Sequence, residues 1–164
     1  MTDKKDSKKE LVGRLIAAFR DAGTQDAAVE ALAAERLGIS AADLRCLNAI
    51  ENAGGLTAGD LAREVGVTTG AVTGALDRLE QAGFARRVAD PADRRRVRIE
   101  VTPAFRARAE SIWGPIAADW QRRLASRFTA AELATIVEFL ELTGEIGAVH
   151  VERLADEGRD PAEG

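Results

Sequence analysis

Eight arginines and no lysine fall within residues 84–108 of this 164-residue chain, and three of them are consecutive, Arg94-Arg95-Arg96. A guanidinium is a planar, permanently charged fork that meets phosphate oxygens and base edges through two hydrogen bonds at once. Such a cluster is built to hold a polyanion, not to make or break bonds. Three successive cations at a solvated tip repel one another unless anions come between them. Other chemistry finds little footing. The one histidine, His150, and the one cysteine, Cys46, cannot supply a zinc site of the usual kind. No glycine-rich phosphate cradle occurs, and the carboxylates show no distinctive pairing. The reading is a binding protein, not an enzyme, with no metal and no cofactor.

The elements that must position these arginines follow from local pattern. Two short helices are predicted between residues 57 and 82, separated by Gly66. Thr57 caps the first, with Asp60 at the capping-box position and Leu61, Ala62 and Val65 as the buried side. The second spans 67–82, capped by Thr68 or Thr69, with a stripe of Val72, Ala75, Leu76 and Leu79. Its other face carries Thr69, Gly70, Thr73, Gly74, Asp77 and Arg78. In an exposed helix Gly costs about 1 kcal/mol and Thr about 0.7 kcal/mol relative to Ala, so a merely solvated face would avoid both. Close approach to an outside surface is one explanation and packing on another helix is the alternative. Strands over 84–89 and 97–101 follow, the second alternating Val97, Ile99 and Val101 with Arg98 and Glu100. Asp90-Pro91-Ala92-Asp93 is the turn between them.

Helix, tight turn, helix and basic hairpin is an order that lays one helix in a DNA major groove and a loop in the adjacent minor groove. Thr68, Thr69, Gly70, Thr73 and Arg78 are then the candidate base-reading and phosphate-contacting residues of the helix. Arg86, with Arg87 beside it, sits at the hairpin base to clamp phosphates. Arg94, Arg95 and Arg96 form the tip, where Asp93 is the candidate orienter of one guanidinium for a narrow minor groove. Strand alternation leaves open whether Arg94 or Arg95 enters.

The flanks are helical. Apolar residues recur at helical spacing over 11–37, with Gly23 and Thr24 expected to interrupt or kink the run, and over 41–52, where Ser40 is the cap and Asp43 favours the positive helix end. Thr102-Pro103 opens a helix to about residue 127 that Pro115 is expected to kink. Thr129 and Glu132 form a capping box for a last helix to about residue 155. The chain is mainly α with a small β-hairpin wing. It divides into a helical arm (1–39), a helix-turn-helix with wing (40–102) and C-terminal helices with a polar tail (103–164).

The net charge of −4 argues against nucleic acid only if charge is uniform, and it is not: residues 84–108 carry net +5 and residues 128–164 net −7. Phosphate contact depends on potential within a Debye length of about 8 Å. A polar start, one cysteine and no long apolar run point to a cytoplasmic protein away from membranes.

These residues resemble the MarR family of winged helix-turn-helix transcriptional regulators. The match lies in Leu56-Thr57, Leu61-Ala62, Val67-Thr68, Val72-Thr73, Asp77-Arg78-Leu79-Glu80, Gly83, Arg86 and the wing from Asp90 to Pro103. Phe105 departs from the pattern, which often has glycine after the Thr-Pro pair, and is expected to stiffen the joint between wing and helix. The resemblance implies a homodimer formed by the terminal helices, with Leu11, Leu15, Phe19, Phe139, Leu140, Ile146 and Val149 as candidates. It also implies a repressor of pseudo-palindromic operators in double-stranded DNA, released by a small aromatic or phenolic effector bound between the dimer and DNA-binding lobes. By that analogy Trp113 and Trp120, seven apart on one helix face, are candidate pocket residues, although core packing explains them as readily. Cys46 reads as a buried inert thiol, with a redox-responsive regulator as the alternative. A winged helix that serves only protein interaction, without DNA binding, is a further alternative.

Overall fold

The computed structural model describes residues 7–90, 93 and 95–157. The order is α1 (Lys8–Leu37), α2 (Ala41–Asn52), α3 (Ala58–Val65), α4 (Thr69–Gln81), β1 (Ala85–Ala89), β2 (Val97–Val101), α5 (Pro103–Arg127) and α6 (Ala130–Glu157). The strands form one antiparallel ladder running from Ala85↔Val101 to Ala89↔Val97. This is the mainly helical chain with a hairpin wing that the sequence predicts.

Side-chain caps set the helix starts. Ser7, Ser40, Thr57 and Thr68 each sit in extended backbone and accept a hydrogen bond from the amide three residues on, satisfying a donor the helix itself leaves open. Thr68 is therefore the cap of α4, and the helix begins at Thr69. Between α3 and α4 the chain reverses at Gly66, whose φ of 69° is left-handed. A side chain there would be strained.

One expectation about the long helices changes. α1 runs unbroken for 30 residues through Gly23 and Thr24. The Thr24 hydroxyl donates back to the Arg20 carbonyl at 3.1 Å, so it bonds within the helix and does not end it. α5 holds Pro115 inside its helical span.

The core is made where α2, α3 and α4 meet. Leu44, Leu47, Ile50, Leu61, Val72, Leu76 and Leu79 are at most 1% exposed. Burying each aliphatic side chain is worth about 1.5–3 kcal/mol. Packing does not stop at residues 40 and 102. Ala33, Ala34 and Leu37 at the end of α1, and Phe105 at the start of α5, belong to the same cluster. Phe105 explains its own oddity: its ring packs on Phe84 with centroids 5.7 Å apart, closing the joint between wing and α5. Thr102 seals the same joint, its hydroxyl donating to the Gly83 carbonyl at 2.6 Å. Val97 departs from the predicted half-buried alternation. It is 54% exposed, because the wing's outer end projects past the core that covers Ile99 and Val101.

The chain forms two compact units, Met1–Trp113 and Gly114–Gly164. In the second, Leu133, Ile136, Phe139 and Thr143 of α6 are half-buried at helical spacing. Thr129 and Glu132 make the expected capping box, with the Thr129 amide donating to the Glu132 carboxylate at 2.8 Å.

Candidate nucleic-acid interface

The outward face of α4 is built from small residues. Thr69, Gly70 and Thr73 are all exposed. The Thr73 hydroxyl donates to the Thr69 carbonyl at 3.0 Å, which fixes its rotamer and leaves oxygen lone pairs for an incoming donor. The Thr68 oxygen accepts the Ala71 amide at 3.3 Å, so it serves the cap first. Among the described residues, nothing beyond the helix's own adjacent backbone stands within 4 Å of where a Cβ on Gly70 would lie. Internal packing therefore does not require glycine there, which weakens the explanation by helix contact.

Arg78 lies on the exposed side of α4, as its spacing implies, and also has a partner on α2. Its Nε and Nη2 donate to the Asp43 carboxylate at 3.1 and 2.7 Å, joining α4 to the first turn of α2. The Asp43 side chain is 5% exposed and that of Arg78 59%. Burial pushes the Asp43 pKa up, but the Arg78 and Ser40 hydrogen bonds outweigh it and hold the carboxyl below its ordinary range. Sequence reasoning missed Asp43 as a buried partner. Its position after Ser40 reads as a helix-dipole residue, and nothing local announces a partner 35 positions away.

Most of the described arginines in this stretch have partners within the protein, one on the wing and the others on neighbouring elements. Arg86 donates to Glu100, its partner across the ladder, at 2.9 Å. Arg87 is bracketed by Asp77 at 2.9 Å and by Glu80, both on α4, and Glu80 also accepts the Arg87 amide. Arg96 stands 3.8 Å from Asp60. Asp60 in turn accepts the Thr57 hydroxyl, the first cause of its lowered pKa. Arg98 donates to the Gly54 carbonyl. Arg106 makes a two-pronged pair with Glu51 at 2.9–3.2 Å. Arg108 lies 5.5 Å over the Phe84 ring. Arg86, Arg87, Arg96 and Arg106 of the cluster that reads as net +5 in sequence thus face carboxylates.

The tip is the exception. Asp90 and Arg96 close the turn through an N–H to carbonyl bond of 3.0 Å. The Asp93 carboxylate accepts the Arg95 amide at 3.0 Å, shaping the turn backbone. Arg95 is exposed, and among the described residues its guanidinium has no ion-pair partner. Arg94 lies outside the described residues.

Trp113 and Trp120 fall in different compact units. Trp113 is half-buried and lines an open pocket of about 340 Å³ with Asn48, Glu51, Phe105 and Arg106, between α2 and the first half of α5. Trp120 belongs to the second compact unit and is 64% exposed. Cys46 is 5% exposed. Burial, with the Asp43 charge adding, pushes its thiol pKa up. Among the described residues no helix is long and apolar enough to cross a membrane.

A bare, small-residue helix beside an arginine-tipped hairpin defines a winged-helix regulator. Comparison with known proteins agrees. Residues 37–96 match the model of the MarR family. The chain is 34% identical to the HTH-type transcriptional regulator YcgE of Bacillus subtilis, over 92% of this chain and 97% of that one. Among solved structures it is similar to a mutant MarR from E. coli complexed with operator DNA. That match has 25% identity and a TM-score of 0.53, and it covers 84% of this chain and 99% of that one. It is also similar to BpsR of Bordetella bronchiseptica, whose DNA binding is regulated by 6-hydroxynicotinic acid. Here identity is 26% and the TM-score 0.50, over 85% and 96% of the two chains. The chain belongs to the MarR family of transcriptional regulators.

Proposed function

We propose that this protein is a ligand-responsive repressor that grips a pseudo-palindromic operator as a homodimer. The observation that carries the reading is the contrast within the interface. The outward face of α4 is small and uncovered, while the wing's inner arginines are pinned in place behind an exposed Arg95. In this reading Thr69, Gly70 and Thr73 meet base edges and backbone in the major groove, and the wing tip enters the neighbouring minor groove. Arg86 and Arg96 hold the wing's shape and lend phosphate contact at its edges. Arg78 acts from behind, fixing the pitch of α4 through Asp43.

Apolar faces left open support pairing. Leu11, Leu15, Phe19 and Leu32 of α1 are each more than 40% exposed, and Leu140, Ile146 and Val149 of α6 at least 50%. Isolated surface leucines are ordinary, but stripes of this extent suit an obligate interface with a second copy. Two α4 helices would then read half-sites about one helical turn apart.

The pocket floored by Phe105 and Trp113 supports effector binding. The two aromatic rings and the Arg106–Glu51 pair in its lining suit a small aromatic acid or phenol. Release follows if such a ligand binds the DNA-incompetent arrangement more tightly than the competent one. Oxidation at Cys46 is the weaker reading, since a thiol that is buried and raised in pKa reacts slowly.

The test is selection of binding sites from random duplexes, followed by titration with aromatic acids. Recovery of a two-fold site, occupied by two chains and vacated by an aromatic acid, is expected. Binding that shows no sequence preference and no salt dependence would instead assign a protein-interaction module.

A further inference from the structure

Among the described wing arginines, Arg86, Arg87 and Arg96 face carboxylates, whereas Arg98 bonds a backbone carbonyl. It sits in β2 opposite Val88. Its side chain reaches across to the α2–α3 link, where Nη2 donates to the Gly54 carbonyl. The link accommodates it closely. A Cβ placed on Gly55 would stand within 3.0 Å of the Nε, Nη2 and Cζ atoms, and Gly55 has a φ of 117° that side chains rarely adopt. Glycine suits that backbone conformation, and a side chain there would have to displace the guanidinium.

Two further features mark this contact as built. The next residue of β2 bonds the same link: Ile99 N–H donates to the Leu56 carbonyl at 2.7 Å, and Leu56 N–H donates to the Ile99 carbonyl at 3.1 Å. Leu56 is thus a one-residue third strand along the wing. In addition, Arg98 Nε is buried with no hydrogen-bond partner among the described residues. A buried unpaired donor is unfavourable, so a guanidinium kept there points to shape and placement as its role. A flat fork wedged against a glycine, with one nitrogen on a carbonyl, is also a geometry lysine does not reproduce.

We propose that Arg98 is a positioning residue for DNA binding. It locks the hairpin to the α2–α3 link, and so fixes where the tip, with Arg95 three residues away, stands relative to α4. A two-stranded ribbon alone is pliable. Without the clamp the tip samples positions from which Arg95 misses the groove that α4's docking presents to it. This proposal rests on the reading of Arg95 as a DNA contact, and the experiment separates the two.

The experiment is a double-mutant cycle on operator affinity at fixed salt, using Arg95→Ala, Arg98→Ala and the double variant. Each single change is expected to weaken binding about tenfold, an effect of about 1.4 kcal/mol. The double variant is expected to bind no worse than either single, because both act through one contact. Discrimination between operator and a site altered under α4 should persist in Arg98→Ala, as should its thermal midpoint. Additive losses would make Arg98 an independent phosphate contact and overturn the proposal. Loss of base discrimination together with a lowered midpoint would make it merely structural, and no loss at all would end it as well. If Arg95→Ala itself leaves affinity unchanged, the wing reading fails and this inference with it. Should Arg98→Ala not fold, Arg98→Lys takes its place in the cycle, with additivity again the overturning result.

Discussion

Removing Arg78 should harm this protein mainly through what it leaves behind. The Asp43 carboxylate is 5% exposed and takes two hydrogen bonds from the guanidinium. In Arg78→Ala that charge stays buried without its cation. An orphaned buried charge can cost 3–5 kcal/mol. Hydrogen bonds from Ser40 and the amino end of α2 still support the Asp43 carboxylate, so the cost at pH 7 should be about 2 kcal/mol, within the desolvation range for one unpaired group. The sign of the pH dependence is diagnostic. In the native protein the Asp43 pKa is lowered on folding. Its contribution is therefore present above the unfolded carboxyl pKa and lost as pH falls through the folded one. Without Arg78, burial dominates and raises the folded pKa. The penalty is then absent below the unfolded pKa and grows as pH rises through the folded one. Urea unfolding of both proteins, at one protomer concentration from pH 7 to pH 4, should show the gap closing on acidification. Asp43→Asn in the Arg78→Ala background should recover part of the loss, because it removes the charge that has become the liability. A gap independent of pH, or a double variant worse than Arg78→Ala alone, would refute this reasoning.

Three further outcomes follow from the same structure. Leu47→Ala empties a site of 0% exposure at the meeting of α2, α3 and α4, and equilibrium unfolding should show a loss of about 2–5 kcal/mol. The Cys46 thiol should react with a disulfide reagent at pH 8 far more slowly than after denaturation. Cys46→Ser should leave the response of DNA binding to oxidants unchanged, as burial and the Asp43 charge both disfavour the thiolate. Leu15→Glu combined with Leu140→Glu places charges on the open faces of α1 and α6. Sedimentation should report a single chain in place of a dimer, with operator affinity falling as the second half-site is lost.

The fold was legible because its punctuation is local. Ser40, Thr57 and Thr68 announce helix starts within four residues, and Gly66 a reversal. Alternation of Ile99 and Val101 announces a strand with one buried side. Phe105 looked like a departure from the family pattern, and only the packing on Phe84 shows it as a core residue. The interface was legible as a region but less so as a set of roles. Arginines 86, 87, 96 and 98 are alike in sequence. Glu100, Asp77, Glu80, Asp60 and the Gly54 carbonyl give each a different task, and those partners lie 7 to 44 positions away. Charge counting cannot see such pairing, so it overstated the cation available to phosphate. The reverse held for Gly70. Its cost in an exposed helix was visible from sequence alone, and the empty space around it strengthened that signal.

The central claim is a division of labour, in which α4 reads and the wing tip grips. The most direct measurement is a salt titration of binding to operator and to a scrambled duplex, for the native protein, Thr73→Ala and Arg95→Ala. Arg95→Ala should weaken both duplexes alike and reduce the slope of log affinity against log salt by about one per wing. Thr73→Ala should leave that slope in place and shrink the gap between operator and scrambled DNA. If the two variants exchange these signatures, or if neither moves affinity, the account is contradicted.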